Sequence, residues 1–285
     1  VMGDPDDDLR AAVERIWHVE EGYMPQDLSE VVTRLMRPAA PAVLRVTPAQ
    51  QALGDPRPGV GLRSDGLPDI AWCPVEGGAF TMGSDRSADP QAYDDEMPQH
   101  SEEVAAFSIA RYPVTYAQYE VFVGDGGYEE RSFWTASGWE WRGETTEPTY
   151  GWNDPQWHLA NHPVIGVTWY EAYAFTRWLS HRTGEAIRLP TEAEWEKAAR
   201  GRDKRIYPYV GAFDPAKGNT KDSGIGRTSA VGIFTGGTSP YGALDMSGNV
   251  WEWCLTKWRS DYKSKADNTP EGADRRVLRG GSWNG

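Results

Sequence analysis

Cysteine is scarce in this chain. The 285 residues include two, Cys73 and Cys254, which lie far apart. Two distant cysteines form neither a disulfide framework nor the close pair of a zinc site. We therefore expect both to be small buried residues, and we recognise no copper or iron site in the sequence.

Long apolar runs and excess basic charge are also absent. No stretch approaches the roughly 20 apolar residues that span a bilayer, and residues 1–8 are acidic and lack a signal-peptide core. We therefore expect a cytoplasmic protein without membrane insertion. The net charge of -13 argues against a nucleic-acid partner, because phosphate binding requires a basic face.

Aromatic and turn-forming residues are abundant instead. The chain has 14 Trp, 31 Gly and 20 Pro. Gly and Pro favour turns and irregular connections, whereas a buried Trp removes roughly 150–250 Å² of surface from water. This composition predicts a loop-rich fold in which most tryptophans are structural anchors.

Three segments differ in character. Residues 1–53 repeat apolar positions at helical spacing, as at Leu9, Val13 and Ile16, and predict a small helical N-terminal extension. Residues 54–70 are rich in helix breakers and predict a linker. Residues 71–285 mix short strand patterns with helix starts, which predicts an α+β domain.

Helix and strand signals alternate along this domain. Three capping boxes predict helix starts at Thr115/Gln118, Thr168/Glu171 and Thr191/Glu194. Predicted strands cover residues 72–75, 79–82, 104–109, 164–167 and 250–253. We expect residues 85–103 to form a polar loop and residues 128–162 a long Trp-rich loop.

The sequence around residues 241–254 organises the rest. Gly248 and Asn249 are turn residues. Trp251 and Trp253 share one face of the predicted strand, and we interpret both as core. Glu252 lies on the other, apolar face, where a carboxylate requires a cation, an arginine (Arg279 or Arg276) or water.

Six motifs in order resemble the formylglycine-generating enzyme (sulfatase-modifying factor) superfamily. They are Gly78–Gly83, Tyr112–Thr115, His162–Val164, Arg188–Glu196, Gly248–Trp253 and Arg276–Trp283. The resemblance covers about residues 71–285 and implies a C-type-lectin-like fold of the formylglycine-generating type. Because proteins with this fold have several activities, the fold alone does not identify the activity of this chain.

Two of those activities are enzymatic. The formylglycine-generating oxidases resemble this chain up to Trp283. The resemblance implies that an oxidase of this family also has a pair of cysteines downstream that binds copper. Neither Cys73 nor Cys254 aligns with that pair. The iron-dependent sulfoxide synthases take His ligands from a helical bundle. His158 and His162 have a four-residue spacing, but Pro163 follows at once. An enzyme with catalytic residues beyond residue 285 is our alternative hypothesis.

The third activity is ligand binding. Variable proteins of diversity-generating retroelements display a binding surface on this fold, and their variable region begins with a segment that resembles Arg276–Asn284. This resemblance implies a non-catalytic protein that binds a protein or other macromolecular ligand through Trp283, Asn284 and Gly285. It is our leading hypothesis.

The resemblance also implies structural Ca²⁺, bound by side-chain and main-chain oxygen. The matching positions form two groups. They are Asn249, Val250 and Glu252, and Asn219, Thr220 and Asp222.

One departure concerns the end of the sequence. The superfamily continues past Gly-Gly-Ser-Trp to a final Gly-Phe-Arg strand, which is absent after Gly285. We therefore expect that a C-terminal segment is missing from this sequence. A partner supplies the strand, the molecule was truncated, or these residues are only the ordered part of a longer chain.

Overall fold

The computed structural model describes residue 55 and residues 57–285, which form short strands and helices joined by long loops. The strands are β1 (Trp72–Val75), β2 (Gly78–Met82), β3 (His100–Val104), β4 (Phe107–Ala110), β5 (Glu252–Lys257) and β6 (Arg276–Arg279). The helices are α1 (Tyr116–Gly124), α2 (Ala136–Arg142), α3 (Trp169–Thr183) and α4 (Glu192–Arg200). The predicted α+β class is confirmed. The predicted N-terminal extension, residues 1–53, lies outside the described residues.

The six strands form three antiparallel pairs, β1–β4, β2–β3 and β5–β6. In the last pair Glu252 lies opposite Arg279 and Trp253 opposite Leu278, with an irregularity before Lys257. The β6 strand of this hairpin leads into residues 280–285.

The three predicted helix starts are confirmed. Thr115, Thr168 and Thr191 each accept a hydrogen bond from the backbone three residues later, and the Gln or Glu at that position accepts one from the backbone amide of the cap. A capping box satisfies two backbone donors that a helix start leaves open. The local signal therefore identifies these helices before any tertiary contact is known.

Several strand and loop predictions were wrong. The predicted strand over 104–109 is in fact the end of β3 and most of β4, separated by the exposed Ala105 and Ala106. The end of the predicted polar loop forms β3. Only Val104 of this strand is buried, so its sequence lacks the apolar pattern that would have predicted a strand. Residues 164–167 form no strand, since Pro163 precedes them and Gly166 has a φ of 71°. The predicted loop over 128–162 contains α2.

The two largest buried clusters form most of the core of the described residues, beside two small ones. The larger joins α1 and α3 through stacked and edge-on aromatic rings. Its buried members are Tyr116, Tyr119, Phe122, Tyr128, Trp134, Trp152, Ala174, Phe175, Trp178 and Leu179. Three of the 14 tryptophans are buried members of this cluster, whereas Trp72, Trp251 and Trp258 are exposed.

The smaller cluster packs α4 against the β5–β6 hairpin and includes Trp195, Met246, Cys254 and Val277. Cys254 and Cys73 are both buried and unbridged, as predicted. Burial raises the pKa of both thiols, because a thiolate loses its hydration there. None of the helices in the described part of the chain is long and apolar enough to cross a membrane.

Candidate functional site

Two loop segments meet backbone to backbone beside the β5–β6 hairpin. Gly248 and Asn249 have φ values of 97° and 68°, a region that glycine and asparagine tolerate best. A Cβ atom at Gly248 would lie 2.4 Å from the Asn219 carbonyl oxygen. We call this contact between residues 218–220 and 247–249 the Asn219–Asn249 junction.

The junction fixes the path of the residues after β6. The Asn249 amide donates to the Asn219 carbonyl at 2.7 Å, and the Asn249 carbonyl accepts from the Trp283 amide at 3.1 Å. The Gly248 amide donates to the Gly280 carbonyl at 2.7 Å. Backbone hydrogen bonds therefore position residue 283 independently of the contacts that its side chain makes.

Buried side-chain amides complete the junction. Asn249 Oδ1 accepts from the Ser229 amide at 2.9 Å and from Asn219 Nδ2 at 3.2 Å, and Asn249 Nδ2 donates to the Ser229 carbonyl at 3.2 Å. Asn219 Nδ2 also donates to the Arg227 carbonyl at 2.9 Å, while Ser223 Oγ donates to Asn219 Oδ1 at 3.1 Å. Both Asn side chains are fully buried and hydrogen-bonded.

The predicted calcium ligands are partly brought together here. Both lone pairs of Asn249 Oδ1 accept hydrogen bonds, so a cation at this atom would have to displace one of them. Thr220 Oγ1 is buried without a protein partner, whereas Asp222 is exposed on the next turn. Val250 and Glu252 follow Asn249 at the start of β5. Calcium binding by these residues stays a prediction.

Glu252 is held by a tryptophan. Its Oε2 accepts from Trp195 Nε1 at 3.0 Å. Arg279 lies opposite Glu252 in the hairpin, but it donates to two glutamates of α4, and Arg276 donates to backbone carbonyls. An arginine, one of the three partners considered for Glu252, therefore does not bond to it in the structure. Burial, the largest cause, raises the pKa of Glu252 to about 7.

The last residues form a surface beside the junction. The Trp283 ring lies against the Trp157 ring, with 5.7 Å between centroids and 34° between planes. Asn284 and Gly285 are exposed, and the Gly285 carbonyl accepts from the Lys221 amide at 3.4 Å. We call Trp157, Trp283, Asn284 and Gly285 the C-terminal surface.

Sequence reasoning missed two aromatic residues. Trp157 is one of five tryptophans in the predicted 128–162 loop, and no local pattern singles it out as the partner of Trp283. Trp251 was predicted to be core but is 47% exposed, because β5 begins one residue later at Glu252. Trp253 is half-buried and donates to the Val167 carbonyl at 3.0 Å.

The histidines considered as iron ligands make structural contacts. His158 stacks on Tyr116, with 4.5 Å between ring centroids. His162 Nδ1 lies 3.0 Å from Thr228 Oγ1, and burial lowers the His162 pKa to about 4. Among the described residues, no group of three or more His, Cys, Asp or Glu side chains is placed to hold a metal ion.

Comparison with known proteins identifies related sequences. Residues 69–285 match the family model of the sulfatase-modifying factor enzyme 1-like domain. The chain is 38% identical over 230 residues to the hercynine oxygenase of Mycolicibacterium thermoresistibile, covering 72% of this chain and 50% of that protein. It is 30% identical over 261 residues to the formylglycine-generating enzyme of Thermomonospora curvata, covering 73% and 81%. The chain spans about half the length of the hercynine oxygenases that it matches.

Solved structures show the same fold. PvdO from Pseudomonas aeruginosa superposes with a TM-score of 0.59 at 25% identity, covering 80% of this chain and 88% of that one. Treponema denticola variable protein 1 superposes with a TM-score of 0.54 at 22% identity, covering 76% and 85%. These neighbours confirm the predicted fold of the formylglycine-generating type.

Substituting Gly248 with alanine tests the junction. We expect Gly248→Ala to lower the free energy of unfolding by about 3 kcal/mol or more, because its Cβ would overlap the Asn219 carbonyl. Gly211→Ala is the matched control, since Gly211 has a φ of 105° and a Cβ added there would meet no atom within 4 Å. It should cost about 1 kcal/mol. Equal losses in urea denaturation would contradict the close contact.

Proposed function

The chain belongs to the sulfatase-modifying factor enzyme 1-like domain family, and on that premise we propose that it is a non-catalytic protein that binds a macromolecular ligand through its C-terminal surface. The observation that carries the proposal is the Trp157–Trp283 pair beside the exposed Asn284 and Gly285. Rigid aromatic side chains offer large contact area at low cost in conformational entropy, and they are enriched in binding hot spots.

The arrangement beneath the surface supports this role. Trp283 is attached to the Asn219–Asn249 junction by a backbone hydrogen bond, and Gly285 by another to Lys221. Neither bond depends on the side chain at the surface position. Side chains there can therefore vary while the scaffold stays intact, as in loops that carry recognition on a rigid scaffold. A protein ligand fits such a surface best.

We further propose that the chain is the variable protein of a diversity-generating retroelement. The proposal rests on the segment Arg276–Asn284, which resembles the start of such variable regions. A fold neighbour, the Treponema denticola protein, carries the name variable protein. Sequencing the gene's neighbourhood tests it. We expect a near-repeat of the coding sequence after codon 276 that differs at adenines, beside a reverse-transcriptase gene, and their absence would contradict the proposal.

Alanine substitutions test the binding surface. We expect Trp283→Ala and Trp157→Ala to weaken binding at least tenfold, roughly 1.4 kcal/mol, to peptides selected from a random display library on the wild-type protein. Trp72→Ala is the control, because Trp72 is 41% exposed, lies in β1 and is not among the four residues of the C-terminal surface. If the selected peptides bind all three variants equally, the C-terminal surface is not the binding site.

An enzyme is the second candidate, favoured by the 38% identity to a hercynine oxygenase. In this alternative the chain is part of an oxidase or a sulfoxide-synthase-like enzyme whose catalytic residues lie beyond residue 285. An assay of the full-length protein with hercynine, ferrous iron and dioxygen tests it, as does an assay with copper and a Cys-containing sulfatase peptide. Turnover in either assay would overturn the non-catalytic proposal.

We also propose that Ca²⁺ binds near Glu252 as a structural ion. The support is chemical: Glu252 is a half-buried carboxylate, Val250 lies two residues before it, and the buried Thr220 hydroxyl has no hydrogen-bond partner in the protein; all three offer the hard oxygen ligands that Ca²⁺ prefers. The ion would stabilise the loops that meet at the junction, which lies directly under the C-terminal surface.

The pH dependence of stability tests this ion. Without calcium, the raised pKa of Glu252 means that the folded state keeps a proton that the unfolded state loses above 4.5. In chelator Glu252 should therefore contribute a fall in the free energy of unfolding on the order of 2 kcal/mol between about pH 4.5 and pH 7, and Glu252→Gln should remove this contribution while leaving that of Asp245, whose pKa burial raises to about 6. With Ca²⁺ the ion favours the carboxylate, so stability should instead rise with pH. Identical pH profiles in chelator and in Ca²⁺ would contradict the ion.

A further inference from the structure

An acidic cleft of about 210 Å³ lies between the β2–β3 hairpin, the start of α4 and the loop after β5. Thr256, near the end of β5, lines it. The C-terminal surface adjoins the opposite end of the same hairpin, because Trp283 bonds to Asn249, which precedes β5. The cleft is therefore separate from the surface of the proposed function.

The cleft contains a buried carboxylate oxygen without a hydrogen-bond partner in the protein. Glu192 is 5% exposed. Its Oε1 accepts from Tyr262 Oη at 2.9 Å and from Arg279 Nη2 at 2.5 Å. Its Oε2 is buried and accepts no hydrogen bond from the protein, and Arg259 Nη2 is 3.9 Å away. Tyr262 and Arg279 fix one oxygen, and the other has no hydrogen-bond donor in the protein.

A buried donor in the same cleft also lacks a partner. Arg259 donates from Nη1 to the Ser264 carbonyl at 2.6 Å, and its guanidinium lies 4.9 Å from the Tyr262 ring centroid. These contacts orient the guanidinium. Its Nε is buried and has no acceptor in the protein. The cleft thus presents one fixed acceptor and one fixed donor, each costly to leave unpaired in a buried position.

The charge of the cleft restricts the ligand further. Four carboxylates and one guanidinium line it, those of Glu102, Glu103, Glu192, Glu194 and Arg259. Arg188 and Arg279 pair with two of these carboxylates from outside the lining, and the balance is still negative when both are counted. A cationic ligand is favoured, and a free carboxylate is disfavoured.

We propose that this cleft binds a primary ammonium group with a neutral oxygen acceptor on the neighbouring carbon, as in an α-amino amide. The ammonium donates to Glu192 Oε2, and the oxygen accepts from Arg259 Nε. Two sources share this chemistry: a free α-amino amide and the amino terminus of a peptide. A free amino acid is disfavoured because its carboxylate would add a negative charge to a lining that is already negative on balance.

Ligand titrations test the assignment with alaninamide, trialanine and N-acetylalaninamide, followed by saturation-transfer NMR on the full chain. We expect saturable binding of alaninamide and none of the acetylated compound, which has no ammonium group. Trialanine binding as well would identify peptide amino termini as ligands, whereas alaninamide binding alone would identify the free amide. Binding of the acetylated compound as strong as that of alaninamide, or binding of neither alaninamide nor trialanine, would overturn the proposal.

Variants locate the binding in the cleft. Ala266→Phe adds bulk at a residue that lines the cleft and replaces none of its polar groups, and Ala106→Phe is the matched control, because Ala106 is exposed and outside the lining. We expect Ala266→Phe to weaken binding at least tenfold and Ala106→Phe to leave it unchanged. Arg259→Lys keeps the charge but removes Nε, and should also weaken binding. Wild-type affinity in Ala266→Phe would overturn the assignment.

Discussion

The close approach of two backbone segments at the Asn219–Asn249 junction determines how this protein is organised. At Gly218 a Cβ atom would lie 2.2 Å from the Ser247 carbonyl, and at Gly248 it would lie 2.4 Å from the Asn219 carbonyl. Only glycine permits such contacts. The buried amides of Asn219 and Asn249 then satisfy backbone groups that no strand or helix pairs. The loops at the junction therefore have their buried backbone groups hydrogen-bonded by Asn side chains, as helices and strands have theirs bonded by other backbone groups.

The aromatic core also holds loops in a fixed conformation, outside the junction. Three short strand pairs and four helices leave long connections in the described residues, and ordering them costs conformational entropy. Buried rings offset that cost, with each fully buried tryptophan contributing a gross ~4–6 kcal/mol. The indole N–H groups add specificity: Trp178 donates to Asp125 and Trp134 to the Gly127 carbonyl. Anchored loops can then carry binding residues without much regular structure beneath them.

The sequence predicts most reliably what depends on neighbouring residues. Capping boxes and Gly-Asn turns depend on contacts within four residues, and Thr168 and Gly248 behave as predicted. Predictions that need distant contacts were weaker. The partner of Glu252 was left open between a cation, an arginine and water, and the structure shows a hydrogen bond from Trp195; Trp251 was expected to be core but is exposed. Burial and pairing at both positions depend on segments far away in the chain. The same holds for Trp157, whose role depends on Trp283 alone.

The central claim is that the C-terminal surface rests on a preformed junction and that ligand binding is confined to it. Amide hydrogen exchange of the full chain, with and without a selected peptide ligand, measures this most directly. The account predicts slow exchange at Asn249 and Trp283 before ligand is added, since both amides are hydrogen-bonded. Added ligand should slow exchange further only at the C-terminal surface and its contacts. Fast exchange at Asn249 and Trp283 in the free protein, or ligand protection elsewhere, would contradict the claim.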